Sequence, residues 1–208
     1  MSPVLRLHTS RGMNMLTRAL VIALLATPVI ASADTPKDTT NDTTKSEKPA
    51  KLTDTELQVI AHYHAVNQME VDLGKAAAKK ATSKEVKAYG EMLVKEHGAS
   101  DKQLAALVKK TKQTIPAEKP ASDAEKQAKA EDKAAATKLK ALKGADFERE
   151  YLRMMVQGHE KELAMIDAKK AEVTNTELAG MLDELKPMLQ HHADAAKELQ
   201  KNEPTAAR

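Results

Sequence analysis

Residues 122–143, SDAEKQAKAEDKAAATKLKALK, consist almost wholly of good helix formers but contain no large apolar residue before Leu139 and Leu142. A helix with so little apolar surface has no stripe to bury. The segment therefore predicts a solvent-washed helix that crosses between core helices instead of joining them. This decides the fold. Four long helices with one long crossover between the second and third form the ferritin-like arrangement, whereas short loops throughout give a simple up-and-down bundle.

The segments on either side supply the core helices. Thr53 or Asp54 offers an N-cap, and Glu56 stands three residues after Thr53, in capping-box register. Val59, Tyr63, Val66, Leu73 and Ala77 follow at helical spacing, with Glu70 inside the stripe. Ser83 caps a second helix bearing Val86, Tyr89, Gly90, Leu93, Leu104 and Val108, and Pro116 and Pro120 lie beyond its end. The turn between these two helices is short, so they must run antiparallel. Past Gly144, Asp146 is expected to cap a third core helix with Phe147, Tyr151, Leu152, Met155 and Ile166. Thr174 or Asn175 separates it from a fourth with Leu178, Leu182, Leu185, Leu189, Ala196 and Leu199. The predicted helices span about 54–81, 84–112, 122–143 (the crossover), 146–172 and 176–201 in an all-α bundle domain over 52–202, with a tail at 203–208.

Composition agrees. One Phe, three Tyr and no Trp leave little to fill a pleated sheet face, while Ala, Leu and Met suit a helical core. Arg18 precedes ALVIALLATPVIASA (19–33), a short apolar run ending in Ala31-Ser32-Ala33, the pattern of a secretory leader cut after Ala33. Met13 and Met15 are alternative starts. Residues 34–51 are polar, rich in Thr and too poor in apolar residues to order themselves, so they read as a disordered spacer. Cysteine is absent, which excludes thiol chemistry and a disulfide framework. The 33 basic residues exceed the 30 acidic ones, but the leader carries Arg6, Arg11 and Arg18 and no acid, so its removal balances the charge. Nucleic-acid binding then has no electrostatic basis. No membrane-spanning segment is expected after cleavage, and envelope association or self-association is left open. The expected location is the periplasm, with outer-membrane association as the other possibility.

Each core helix carries one ligand-type residue in its stripe: Glu70, His97, His159 and His192. At ~1.5 Å rise per residue all four fall ~15–22 Å along the bundle, where such folds build metal sites. No Glu-x-x-His occurs, which removes the di-iron carboxylate chemistry of ferritin-like proteins. Two uses of the four remain. One is a hydrogen-bonded Glu/His network fixing helix register, with no cofactor. The other is a single Zn, Cu or Fe ion. His62 and His64, two residues apart, face different ways and read as surface or edge positions; the methionines read as gap-filling core. In His191-His192 the stripe selects His192 as the inward residue.

Several spaced stretches, KEHGASDKQL (95–104), ADFEREYLRMMVQGHEKEL (145–163) and KPMLQHHADAAKEL (186–199), resemble the bacterial "predicted outer membrane protein" family, domain of unknown function 4142. The motif positions are Glu70 with Val71-Asp72-Leu73-Gly74, then Met92 and His97, Phe147 and Tyr151, His159 with Leu163, and Pro187, Leu189 and His192. Lys186 and the additional His191 depart from the pattern. The resemblance implies a ferritin-like fold and an envelope location, and leaves the biochemical role unsettled. Neither a nucleophile–base pair nor a phosphate-cradling glycine loop is present. The sequence thus reads as an exported helical bundle in a non-catalytic structural, stress-related or binding role, with metal-dependent redox or metal binding as the alternative.

Overall fold

The computed structural model describes residues 50–202. The predicted leader, the spacer up to residue 49 and the tail at 203–208 lie outside the described residues. Five helices follow in order: α1 (Asp54–Lys80), α2 (Lys84–Lys110), α3 (Asp123–Ala141), α4 (Gly144–Ala171) and α5 (Thr176–Asn202). The protein is an all-α bundle.

Helix starts follow local chemistry. Thr53 closes a complete capping box with Glu56, and Ser83 and Ser122 accept from Val86 and Glu125 N–H groups. Asn175 Oδ1 accepts from Leu178 N–H at 2.9 Å and so caps α5. Asp146 does not cap α4. The helix starts two residues earlier, at Gly144 with φ +56°, and Asp146 pairs with Arg149 within the first turn. Glycine tolerates that left-handed backbone, so the chain enters the helix without a side-chain cap.

Helix-end hydrogen bonds give the chain directions. Glu56, at the start of α1, accepts from Thr174 and Asn175 at the end of α4. Glu148, at the start of α4, accepts from Thr82 and Ser83 at the end of α1. Helices α1 and α4 are therefore antiparallel. Lys110 at the end of α2 pairs with Glu177 at the start of α5, so α2 and α5 are antiparallel as well. Because α2 reverses α1, α2 and α4 run the same way, and the chain must travel the length of the bundle between them. Helix α3 makes that return and buries only Leu139.

Two apolar clusters fill the bundle. Ile60, Tyr63, Leu107, Ile166, Leu178 and Leu189 belong to one; Leu73, Leu93, Phe147, Tyr151, Leu152 and Met155 belong to the other. Near the second, α1 and α2 approach closely enough that a Cβ on Gly74 would sit 2.6 Å from Gly90 O, and one on Gly90 would sit 2.7 Å from Gly74 O. Pro187 stands on the exposed side of a continuous α5.

Candidate metal centre

Three of the four stripe residues converge. His97 from α2, His159 from α4 and His192 from α5 each offer one ring nitrogen, and these nitrogens lie within 4.8 Å of one another. The rings are fully buried, with centroids 5.1–5.6 Å apart. Glu70 stands outside this group. The α1 residue that reaches it is Asn67, one helical turn before Glu70, whose Oδ1 lies 2.9 Å from His97 Nδ1.

Hydrogen bonding fixes the tautomer of each ring. Met155 O can only accept, so His159 Nδ1, 2.7 Å away, carries the proton. Asn67 donates through Nδ2 to Ser100 Oγ, which leaves its Oδ1 to accept from His97 Nδ1. The Glu96 carboxylate accepts from His192 Nε2 at 2.8 Å. The remaining nitrogens, His97 Nε2, His159 Nε2 and His192 Nδ1, keep lone pairs. His97 Nε2 and His159 Nε2 face each other at 3.4 Å with no donor between them, and His192 Nδ1 is buried without a partner.

A shared proton does not resolve this contact at neutral pH. Burial, reinforced by the other two histidines, pushes the His97 imidazole down to about 2. Burial likewise holds His159 down at about 4, opposed by its bond to the Met155 carbonyl, and lowers His192 against the pull of Glu96. All three shifts favour the neutral ring that metal ligation requires. A trigonal or tetrahedral ion ~2.0–2.1 Å from each nitrogen needs ligand nitrogens roughly 3.3–3.6 Å apart. The His97–His159 pair already meets that spacing at 3.4 Å. One nitrogen of each of the three rings lies within 4.8 Å of the others, so an adjustment of about 1 Å by side-chain rotation brings one nitrogen per ring to ligating spacing.

Glu70 has a different setting. It is 3% exposed, its Oε2 has no partner among the described residues, and burial together with the Glu162 charge pushes its carboxyl up to about 8.

His62 corrects the sequence expectation of a surface or edge position. It is buried, with Nδ1 2.7 Å from Glu118 and Nε2 2.9 Å from Glu162. Helix α1 turns this face toward α4, and the loop between α2 and α3 brings Glu118 over it. His62, Glu118 and Glu125 also offer ligand atoms within 4.8 Å of one another. Here, however, Lys129 pairs with both carboxylates, and both ring nitrogens of His62 are already engaged, by Glu118 and Glu162, whose charges raise its pKa against the opposing effect of burial. This cluster satisfies itself. His64 is half-buried on Asp101, and His191 is exposed.

Sequence reasoning missed Asn67 and Glu96. Asn67 was visible in the stripe between Tyr63 and Glu70, but polar amides there carry no ligand signature. Glu96 adjoins His97 and faces a different helix, α5.

A search of curated proteins finds no relative of matching sequence. Solved structures are similar in fold. A DUF305 fragment from Deinococcus radiodurans is 16% identical with a TM-score of 0.64, over 74% of this chain and 100% of that one. CopM in a Cu(II)-bound form is 18% identical with a TM-score of 0.55, over 74% of this chain and 99% of that one. CopM in an Ag-bound form is 18% identical with a TM-score of 0.54, over 71% and 96%. A family model for a domain of unknown function matches residues 41–199. The chain belongs to the DUF4142 family.

Proposed function

We propose that this protein binds metal, holding one copper or zinc ion on His97, His159 and His192. The observation that carries the reading is the 3.4 Å contact between two neutral Nε2 lone pairs. A polar network alone leaves this contact without a donor. A cation converts three uncompensated acceptors into three ligands. Asn67, the Met155 carbonyl and Glu96 then act as the outer partners that orient ligating imidazoles.

Imidazole donors suit copper and zinc, and three protein ligands leave a further position open on either ion. The ligand set is neutral and buried, so a low ionic charge costs least, and the Glu96 carboxylate supplies one compensating charge. That favours copper in its monovalent state. The fold shared with a protein solved with Cu(II) and with Ag bound supports the same choice. Metal binding accounts for the site better than the structural network, although the network's hydrogen bonds remain part of it. The order of chain directions supports a ferritin-like connection.

The leader-like segment 19–33 and the family resemblance support an exported protein of the envelope. Among the described residues, no helix is long and apolar enough to cross a membrane.

The test is to load the full chain with Zn²⁺, which thioethers do not retain, desalt it and measure metal by elemental analysis. The parent is expected to hold one ion more than a His97→Ala/His159→Ala variant of matching helical content. Equal metal in both would overturn the reading.

A further inference from the structure

Glu70 points to a second position. The residue lines a cavity of about 270 Å³ between α1 and α4, bordered by α3. The other charged groups of that cavity have partners: Lys161 with Asp132 at 2.8 Å, Arg153 with Glu150 at 2.5 Å and Glu162 with His62 at 2.9 Å. Among the described residues that line it, only Glu70, 3% exposed, has a buried carboxyl oxygen, Oε2, without a partner. Native structures rarely leave such an atom unsatisfied, because its desolvation is not recovered. A cation in the cavity would recover it.

The cavity's apolar wall indicates which cation. Met69, Met154 and Met155 all line it, and Met69 is the one large hydrophobic residue exposed among those described. The cavity's other two carboxylates, Asp132 and Glu162, are engaged by Lys161 and His62, and thioethers beside the remaining one, Glu70, favour a soft monovalent ion over Mg²⁺, Ca²⁺ or Zn²⁺. Gly158 faces the carboxyl group without a side chain; a Cβ there would stand in van der Waals contact with Glu70 Oε1, at 3.8 Å.

We propose that this cavity binds a soft monovalent cation, Cu⁺ or Ag⁺, on Glu70 and the thioethers of Met69 and Met154. The position is separate from the three histidines and does not depend on them. Its neighbour on α4 is nonetheless the same turn, since the Met155 side chain lines the cavity while its carbonyl holds His159.

The test titrates the full chain with silver nitrate in chloride-free buffer, by calorimetry and native mass spectrometry. Met69→Leu/Met154→Leu preserves side-chain volume and should lose one Ag⁺ relative to the parent. Glu70→Gln should weaken that ion at least tenfold. His97→Ala should keep it. Unchanged stoichiometry and affinities in Met69→Leu/Met154→Leu would overturn the proposal. Loss of an ion in that variant with none lost in His97→Ala would uphold the cavity and count against the histidine site. The reverse pattern would do the opposite.

Discussion

Replacing Glu96 by alanine separates a metal-binding site from a register-fixing network. His192 is fully buried, and its Nε2–H donates to Glu96 at 2.8 Å. Removing that acceptor strands a buried donor, at a cost of about 1–3 kcal/mol. The Glu96 side chain is 37% exposed, so water recovers part of the loss, and the lower end, about 1 kcal/mol, is expected for the metal-free protein. The second effect is on the tautomer. Without Glu96, His192 is free to move its proton to Nδ1, which removes the lone pair the site needs. Loss of such an outer partner lowers metal affinity about 10–100-fold, or about 1.4–2.8 kcal/mol. Glu96→Gln keeps an acceptor oxygen and loses the charge, so it should fall between parent and alanine variant. The assay pairs urea unfolding of metal-free protein with Zn²⁺ competition against a chromophoric chelator. A destabilised Glu96→Ala variant whose metal affinity stays within about twofold of the parent would refute the reasoning.

Three further outcomes follow from the same structure. Glu56 is held down to about 2: its carboxylate accepts from Thr53, Thr174 and Asn175, and these bonds outweigh the raising effect of burial. A depressed carboxylate contributes stability above its unfolded value of 4.5 and loses it as pH falls toward about 2, so Glu56→Gln should cost about 2–3 kcal/mol at pH 7. Urea unfolding should show that difference narrowing below pH 4.5, and a difference that is constant with pH would contradict the clamp. Gly90→Ala places a Cβ 2.7 Å from Gly74 O and 2.8 Å from Ala77 Cβ; helices α1 and α2 must part, and thermal unfolding should show a loss of about 1–3 kcal/mol, whereas an unchanged midpoint would mean the helices separate freely. Asn67→Leu removes the acceptor that orients His97. It should lower Zn²⁺ affinity at least tenfold while leaving helical content intact, and an unaltered affinity would show that His97 is oriented by packing alone.

Much of the architecture was legible because it follows from periodicity. The caps at Thr53 and Ser83, the apolar stripes and the near-absence of large apolar residues in 122–143 are local properties of the chain, and they fix helix number and the long return. The depth of His97, His159 and His192 followed from rise per residue once the return was known. Glu70 shows where such reasoning stops. Periodicity assigns a face, not a partner, and at four helices' meeting point a one-turn difference on α1 puts Asn67 beside His97 instead. His62 was illegible for another reason. Its cover, Glu118, comes from the irregular segment after α2, whose path no stripe encodes. The hydrogen-bond acceptors that set the tautomers were also beyond the sequence, since one is a backbone carbonyl and another, Glu96, looks like any helix-surface acid.

X-ray absorption at the metal edge of the loaded full chain tests the central claim most directly. The account predicts one ion per site with three imidazole nitrogens at ~2.0–2.1 Å, their outer-shell scattering lost together in a His97→Ala/His159→Ala variant. A first shell of oxygen alone, or an imidazole signal that survives that double substitution, would contradict it.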